Sequence, residues 1–136
     1  MTQATTRILI ESYYATFNAG NRDDFLALLA DDVIHDINQG GREIGKEAFR
    51  AFLGRMDRCY KETIADIAVM VNEDGTRAAA EFMVHGEYLS TDDGLPEAKG
   101  QTYLLPAGAF FSVRDGKVSR ISNYYNLPEW ERQVTA

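Results

Sequence analysis

Two turn signals in the second half of the chain constrain its fold more than any other feature. Asn72-Glu73-Asp74-Gly75 and Asp115-Gly116 both lie between runs of residues suited to strands, so each predicts a β-hairpin. Thr63 to Val71 and Thr76 to Leu89 flank the first turn, and Gln101 to Arg114 and Lys117 to Asn126 flank the second. Between the hairpins, Ser90 to Gly100 carries Asp-Asp-Gly and one proline and reads as the longest polar loop. A short tail around Pro128 and Trp130 closes the chain.

The first half reads as helices. From Thr5 to Asn18, Ile8, Leu9, Tyr13 and Phe17 recur at helical spacing, and Ala19-Gly20-Asn21 ends that helix. Asn21 or Asp23 caps a short second helix with Phe25, Leu28 and Leu29 as its apolar residues. Val33 to Asn38 predicts a strand, and Gly40, Gly41 and Gly45 make the next segment a loop. A third helix runs from Lys46 to about Tyr60, with Phe49, Phe52, Leu53, Met56 and Tyr60 on one side.

Helices grouped first and hairpins grouped last predict an α+β domain. The 136 residues suffice for one domain with a buried core. The run from Thr63 to Val71 is apolar at Ala65, Ile67, Val69 and Val71 and also at Ile64, Ala68 and Met70. A strand apolar on both sides needs cover on both. Three helices cover one face of the sheet, and the other calls for a second copy in a two-fold homodimer.

Charge and composition exclude several function classes. The net charge is −7, with 21 acids against 14 bases and no Lys/Arg stripe, so nucleic acid is not an expected partner. No apolar run approaches the ~20 residues of a membrane span, and Met1 to Arg7 lacks a signal core; the expected setting is the cytoplasm. Cys59 is the only cysteine, on the apolar side of the third helix, and reads as a packed thiol. His35 and His85, far apart in sequence, do not make a metal site. Neither phosphate-cradling glycine motif is present, nor an activated Ser or Cys nucleophile. The chemistry expected is cofactor-free, on a small hydrophobic molecule.

The chain resembles the ketosteroid-isomerase-like and polyketide-cyclase-like branch of the nuclear transport factor 2 superfamily. Tyr13-Tyr14-Ala15-Thr16-Phe17-Asn18-Ala19-Gly20-Asn21 is similar to its first helix and turn, and Leu29-Ala30-Asp31-Asp32-Val33 to the entry of its first strand. Phe82 to Tyr88, Phe110-Phe111-Ser112-Val113 and Gly116-Lys117-Val118 fall where its long strands belong. His35-Asp36-Ile37-Asn38-Gln39-Gly40-Gly41, Leu105 to Phe111 and Tyr124-Tyr125-Asn126-Leu127 resemble a group of ketosteroid-isomerase-related proteins. The resemblance implies a conical α+β barrel, a bent sheet wrapped around helices with a pocket at its wide end.

It also implies site residues. An isomerase of this kind needs a base near an acidic carbon and a donor near the developing oxyanion. Asp36 is the first candidate base, on the strand where the isomerases carry theirs. A gapless count from the Asn-Ala-Gly turn instead puts Ile37 there, and if His35 and Ile37 face the pocket the base is His35. Tyr13 falls at the oxyanion-donor position, with Tyr14 second. Ala109 occupies the place of the isomerases' second donor, which leaves Asn123 or Tyr103 as substitutes. Ile121, Asn123 and Tyr125 face the pocket by resemblance. Phe17, Val84, Gly86, Tyr88, Tyr103 and Phe111 complete the expected wall. His85 and Glu87 fall on the outer face, and Trp130 docks the tail or closes the mouth.

Overall fold

The computed structural model describes all residues, 1–136. Helix α1 (Gln3–Ala19) starts at Thr2, whose side chain accepts from the Thr5 amide in a reciprocal capping box, and stops at Gly20 in the left-handed conformation. Its buried face is Thr6, Ile10, Tyr13 and Tyr14, whereas Ile8 is 63% exposed. The expected stripe through Ile8 is therefore displaced around the helix. Thr6 belongs to the inner face because its hydroxyl bonds the Gly75 carbonyl at 2.6 Å, tying α1 to the first hairpin.

Asn21 caps the short α2 (Arg22–Leu26), which buries Phe25 and Leu26. Strand β1 (Leu29–Asp36) begins earlier than expected, so Leu29 is a strand residue. The glycine-rich loop holds a short edge strand, β2 (Arg42–Ile44), paired antiparallel with β1. Helix α3 (Lys46–Cys59) passes directly into β3 (Tyr60–Val71), followed by β4 (Arg77–Tyr88), β5 (Thr102–Arg114) and β6 (Lys117–Tyr125). The tail forms a fourth helix, α4 (Leu127–Thr135), capped by the Asn126 side chain and opened by Pro128 in its first turn.

The six strands lie in the order β2-β1-β6-β5-β4-β3; β1 and β6 run parallel and the other neighbours antiparallel. The sheet is open, with β2 and β3 at its edges, so the expected α+β class stands without a closed barrel. A core cluster of 23 buried residues packs between helices and sheet.

The two-faced apolarity of β3 has a local cause. Its pairing with β4 slips between Ala65 and Ala68, where Asp66 has φ 53°. An extra residue reverses which side later residues face. Ile64 is buried before the bulge, and Val69 and Val71 pack against the core after it. Ile67 and Met70 remain exposed.

Candidate active site

A cavity of about 530 Å³ lies between the helices and the inner sheet face. Of the 32 residues that border it 21 are hydrophobic, so a bound molecule is held mostly by carbon. A second depression, of about 590 Å³, lies on the outer face beside Lys61, His85, Glu87 and Gln133, and is shallow and polar.

Strand β1 decides which of its polar residues enters the cavity. Val33 and His35 point inward and are buried, and Ile37 beyond them also borders the cavity. The His35 ring lies 4.5 Å from that of Phe49 and 4.6 Å from that of Phe52, both on α3. Its Nδ1 is buried without a hydrogen-bond partner. Burial pushes the imidazole down to about 4, against a smaller upward pull from Asp36, so His35 is neutral at physiological pH.

Asp36, the first candidate base, is on the opposite face. Its carboxylate receives Arg42 Nε at 2.7 Å, Arg42 Nη2 at 3.0 Å and Arg120 Nε at 3.0 Å. These bonds, Arg42 foremost, hold its carboxyl below the usual carboxylate range. It does not border the cavity, because adjacent strand residues alternate sides and His35 takes the inward place.

Tyr13 and Tyr14 both border the cavity from α1, with ring centroids 5.0 Å apart. The Tyr14 hydroxyl is buried without a partner. Burial raises both phenols well above their ordinary value, so both stay protonated. Phe17, Tyr103, Asn123 and Tyr125 border the cavity as expected, as do Val84 and Trp130. Phe111 does not. It is fully buried behind Tyr13 and Tyr14, at 5.1 and 6.2 Å between rings.

Tyr88 is likewise buried out of reach, and its hydroxyl organises the polar loop by donating to the Pro96 carbonyl at 2.6 Å. Gly86 is covered by the Tyr103 ring and offers a ligand no room. Ala109 is fully buried, and no polar group stands at that position. Trp130 is 4% exposed and packs on Tyr60, Tyr88 and Tyr103, so it both docks α4 and walls the cavity.

One site residue escaped the sequence reading. Glu62 borders the cavity from β3 and accepts a hydrogen bond from the Tyr103 hydroxyl at 2.5 Å. Burial raises its carboxyl, and the Tyr103 bond pulls the other way. Glu62 lies between Tyr60 and Ile64, which share its face, but that signal is lost if the strand is started at Thr63. At the mouth, Tyr60 donates to Asp92 at 2.9 Å, and Arg55 stands 3.9 Å from the same carboxylate. Histidine, cysteine and carboxylate side chains nowhere gather in threes around a point that would suit a metal ion. No helix is long and apolar enough to cross a membrane.

The profile of the SnoaL-like domain matches residues 10–121. A search of curated proteins finds no match. Among solved structures, a protein from Pseudomonas putida KT2440, provisionally described as a polyketide cyclase, is 63% identical over 93% of this chain and 95% of its own, with TM-score 0.92. One from Xanthomonas campestris, described in the same way, is 55% identical over 97% and 98%, with TM-score 0.94. A third such protein, from Silicibacter, is 48% identical over 100% and 99%, with TM-score 0.96.

Proposed function

Because the chain belongs to the SnoaL-like domain family, we propose that it is a cofactor-free enzyme for a small hydrophobic carbonyl compound. Its reaction moves a proton at the carbon next to the carbonyl, the step shared by isomerase, aldol-type cyclase and dehydratase chemistry. The description of close relatives as polyketide cyclases favours the cyclase outcome.

The observation that carries this reading is the state of His35. A neutral imidazole borders an apolar cavity with Nδ1 left without a protein partner. An unmade buried hydrogen bond costs about 1–3 kcal/mol, and the orphaned Tyr14 hydroxyl adds a similar deficit. His35, Tyr13 and Tyr14 all border the cavity that a ligand would fill. The tyrosines are the oxyanion donors, Tyr13 ahead, and the aromatic wall excludes the water that would weaken them.

The outer sheet face is part of the same proposal. Leu104, Phe110 and Tyr124 are 47%, 49% and 55% exposed, and a second copy of the chain is the partner that covers them. The buried, unpaired Cys59 fits a reducing compartment, and the reading places the protein in the cytoplasm.

Deuterium exchange at the α-carbon of β-tetralone in heavy-water buffer tests the reading. The wild type exceeds the buffer rate, His35→Ala loses on the order of 10²-fold, and Asp36→Asn stays at the wild-type rate. If wild-type protein binds the ketone but leaves exchange at the buffer rate, the cavity is a binding module.

A further inference from the structure

We infer that Glu62 is the proton-accepting catalytic residue of this cavity, oriented by Tyr103, while His35 serves as the neutral donor to the carbonyl oxygen. The inference rests on the proton-transfer reading above and divides its labour between two residues.

The geometry of three strands sets Glu62 in place. Glu62, Gly86 and Tyr103 are paired in register across β3, β4 and β5. Gly86 has no side chain, and the Tyr103 ring lies over it so closely that a Cβ there would stand 2.1 Å from Cζ. The ring thereby carries its hydroxyl to Glu62 Oε2. One carboxylate oxygen is held, and Oε1 is left for a ligand.

Glu62 forms no ion pair, unlike several of the other acids. Asp36 has Arg42 and Arg120, Asp57 has Arg22, and Glu129 has Arg132. A carboxylate walled in without a cation is costly, and a purely structural role for it would be served by an amide. The groups around Glu62 are the phenols of Tyr103 and Tyr125, and the charged residues sharing the cavity wall are Arg22, Arg55, Asp57, Asp92 and Asp93. Burial raises the Glu62 carboxyl above its ordinary value and lowers the His35 imidazole to about 4, so the carboxylate is made readier to take a proton and the imidazole is left uncharged. A neutral imidazole is suited to the donor role that this leaves.

The step is balanced without a co-reactant. The free Glu62 oxygen takes the proton from the α-carbon, and the C–H pair becomes the new C=C bond. The carbonyl π-pair moves to oxygen, where the His35 ring N–H and the α1 hydroxyls bond it. Once the Glu62 proton has exchanged with solvent, return of a deuteron to the same carbon completes exchange, and return of the proton to the far end of a conjugated dienolate completes isomerisation. Attack of the enolate carbon on a second carbonyl in the same molecule forms a ring, and that oxygen then recovers the proton from Glu62.

The test is the β-tetralone exchange assay on the full chain. Glu62→Gln keeps an acceptor for Tyr103 but cannot take a proton, and it loses on the order of 10²-fold or more in rate. Glu62→Asp keeps a base with shorter reach and recovers part of that loss. His35→Gln retains an N–H donor and stays well above His35→Ala. The rate rises with pH as Glu62 ionises, and Tyr103→Phe, by removing a bond that favours the carboxylate, moves the rise to higher pH. Wild-type rate in Glu62→Gln, with His35→Gln as inactive as His35→Ala, overturns this assignment and leaves His35 as the base. No exchange by the wild type sinks the proton-transfer reading and this inference with it.

Discussion

The Tyr103 hydroxyl reaches the Glu62 carboxylate at 2.5 Å by lying across Gly86, so a residue on the central part of the sheet positions an acid near its edge. The contact depends on a missing side chain. Gly86→Ala should displace the ring, break the contact and cost about 1–3 kcal/mol as an overpacking substitution. Urea unfolding measures the loss. In the double variant with Tyr103→Leu the two costs should not add, because the ring that clashes is gone.

His35 should make stability fall as the solution is acidified. Unfolded, its imidazole takes a proton near the ordinary 6.5; folded, it does so only at about 4. Between those values the unfolded chain binds the extra proton, so acid favours unfolding, by about 3 kcal/mol across the window. Above it the contribution to pH dependence vanishes. Unfolding curves for wild type and His35→Gln across this range should diverge on its acid side. Parallel curves would show that the imidazole titrates normally.

Asp36 should prove dispensable for chemistry. Its three hydrogen bonds to Arg42 and Arg120 lie on the outer face, where exposed ion pairs contribute little. Asp36→Asn should leave ketone exchange unchanged and lower the melting temperature only slightly, less so at high salt. A loss of exchange comparable to that of His35→Ala would move Asp36 into the site.

The outer face should control assembly. Phe110 and Tyr124 meet edge to face at 5.6 Å while both stay about half exposed. A charge placed there would be buried without a partner in a dimer formed through this face. Phe110→Glu should therefore sediment as a monomer where wild type sediments as a dimer. A wild-type monomer at high concentration would refute the proposed interface.

Several elements were legible because their cause is local. The turns at Asn72 to Gly75 and Asp115-Gly116, the Gly20 stop and the Asn21 cap depend on neighbouring residues alone, and each lies where it was expected. Helix α4 was missed although Asn126, Pro128 and Glu129 form a local start signal. Strand β2 had no such signal, since its three residues are strand only by pairing with β1.

The amino-acid order by itself determined the α+β class, the hairpins, the apolar character of the cavity and the presence of a tyrosine pair, a histidine and several acids to furnish it. Only the tertiary structure decided that His35 enters the cavity and Asp36 does not, and that Glu62 joins His35 there. Strand alternation turns on a single residue of register, and the partners that settle register lie far away in sequence: Ile121 opposite His35, Gly86 opposite Glu62. A periodic pattern names two faces, but only packing chooses which one is inside.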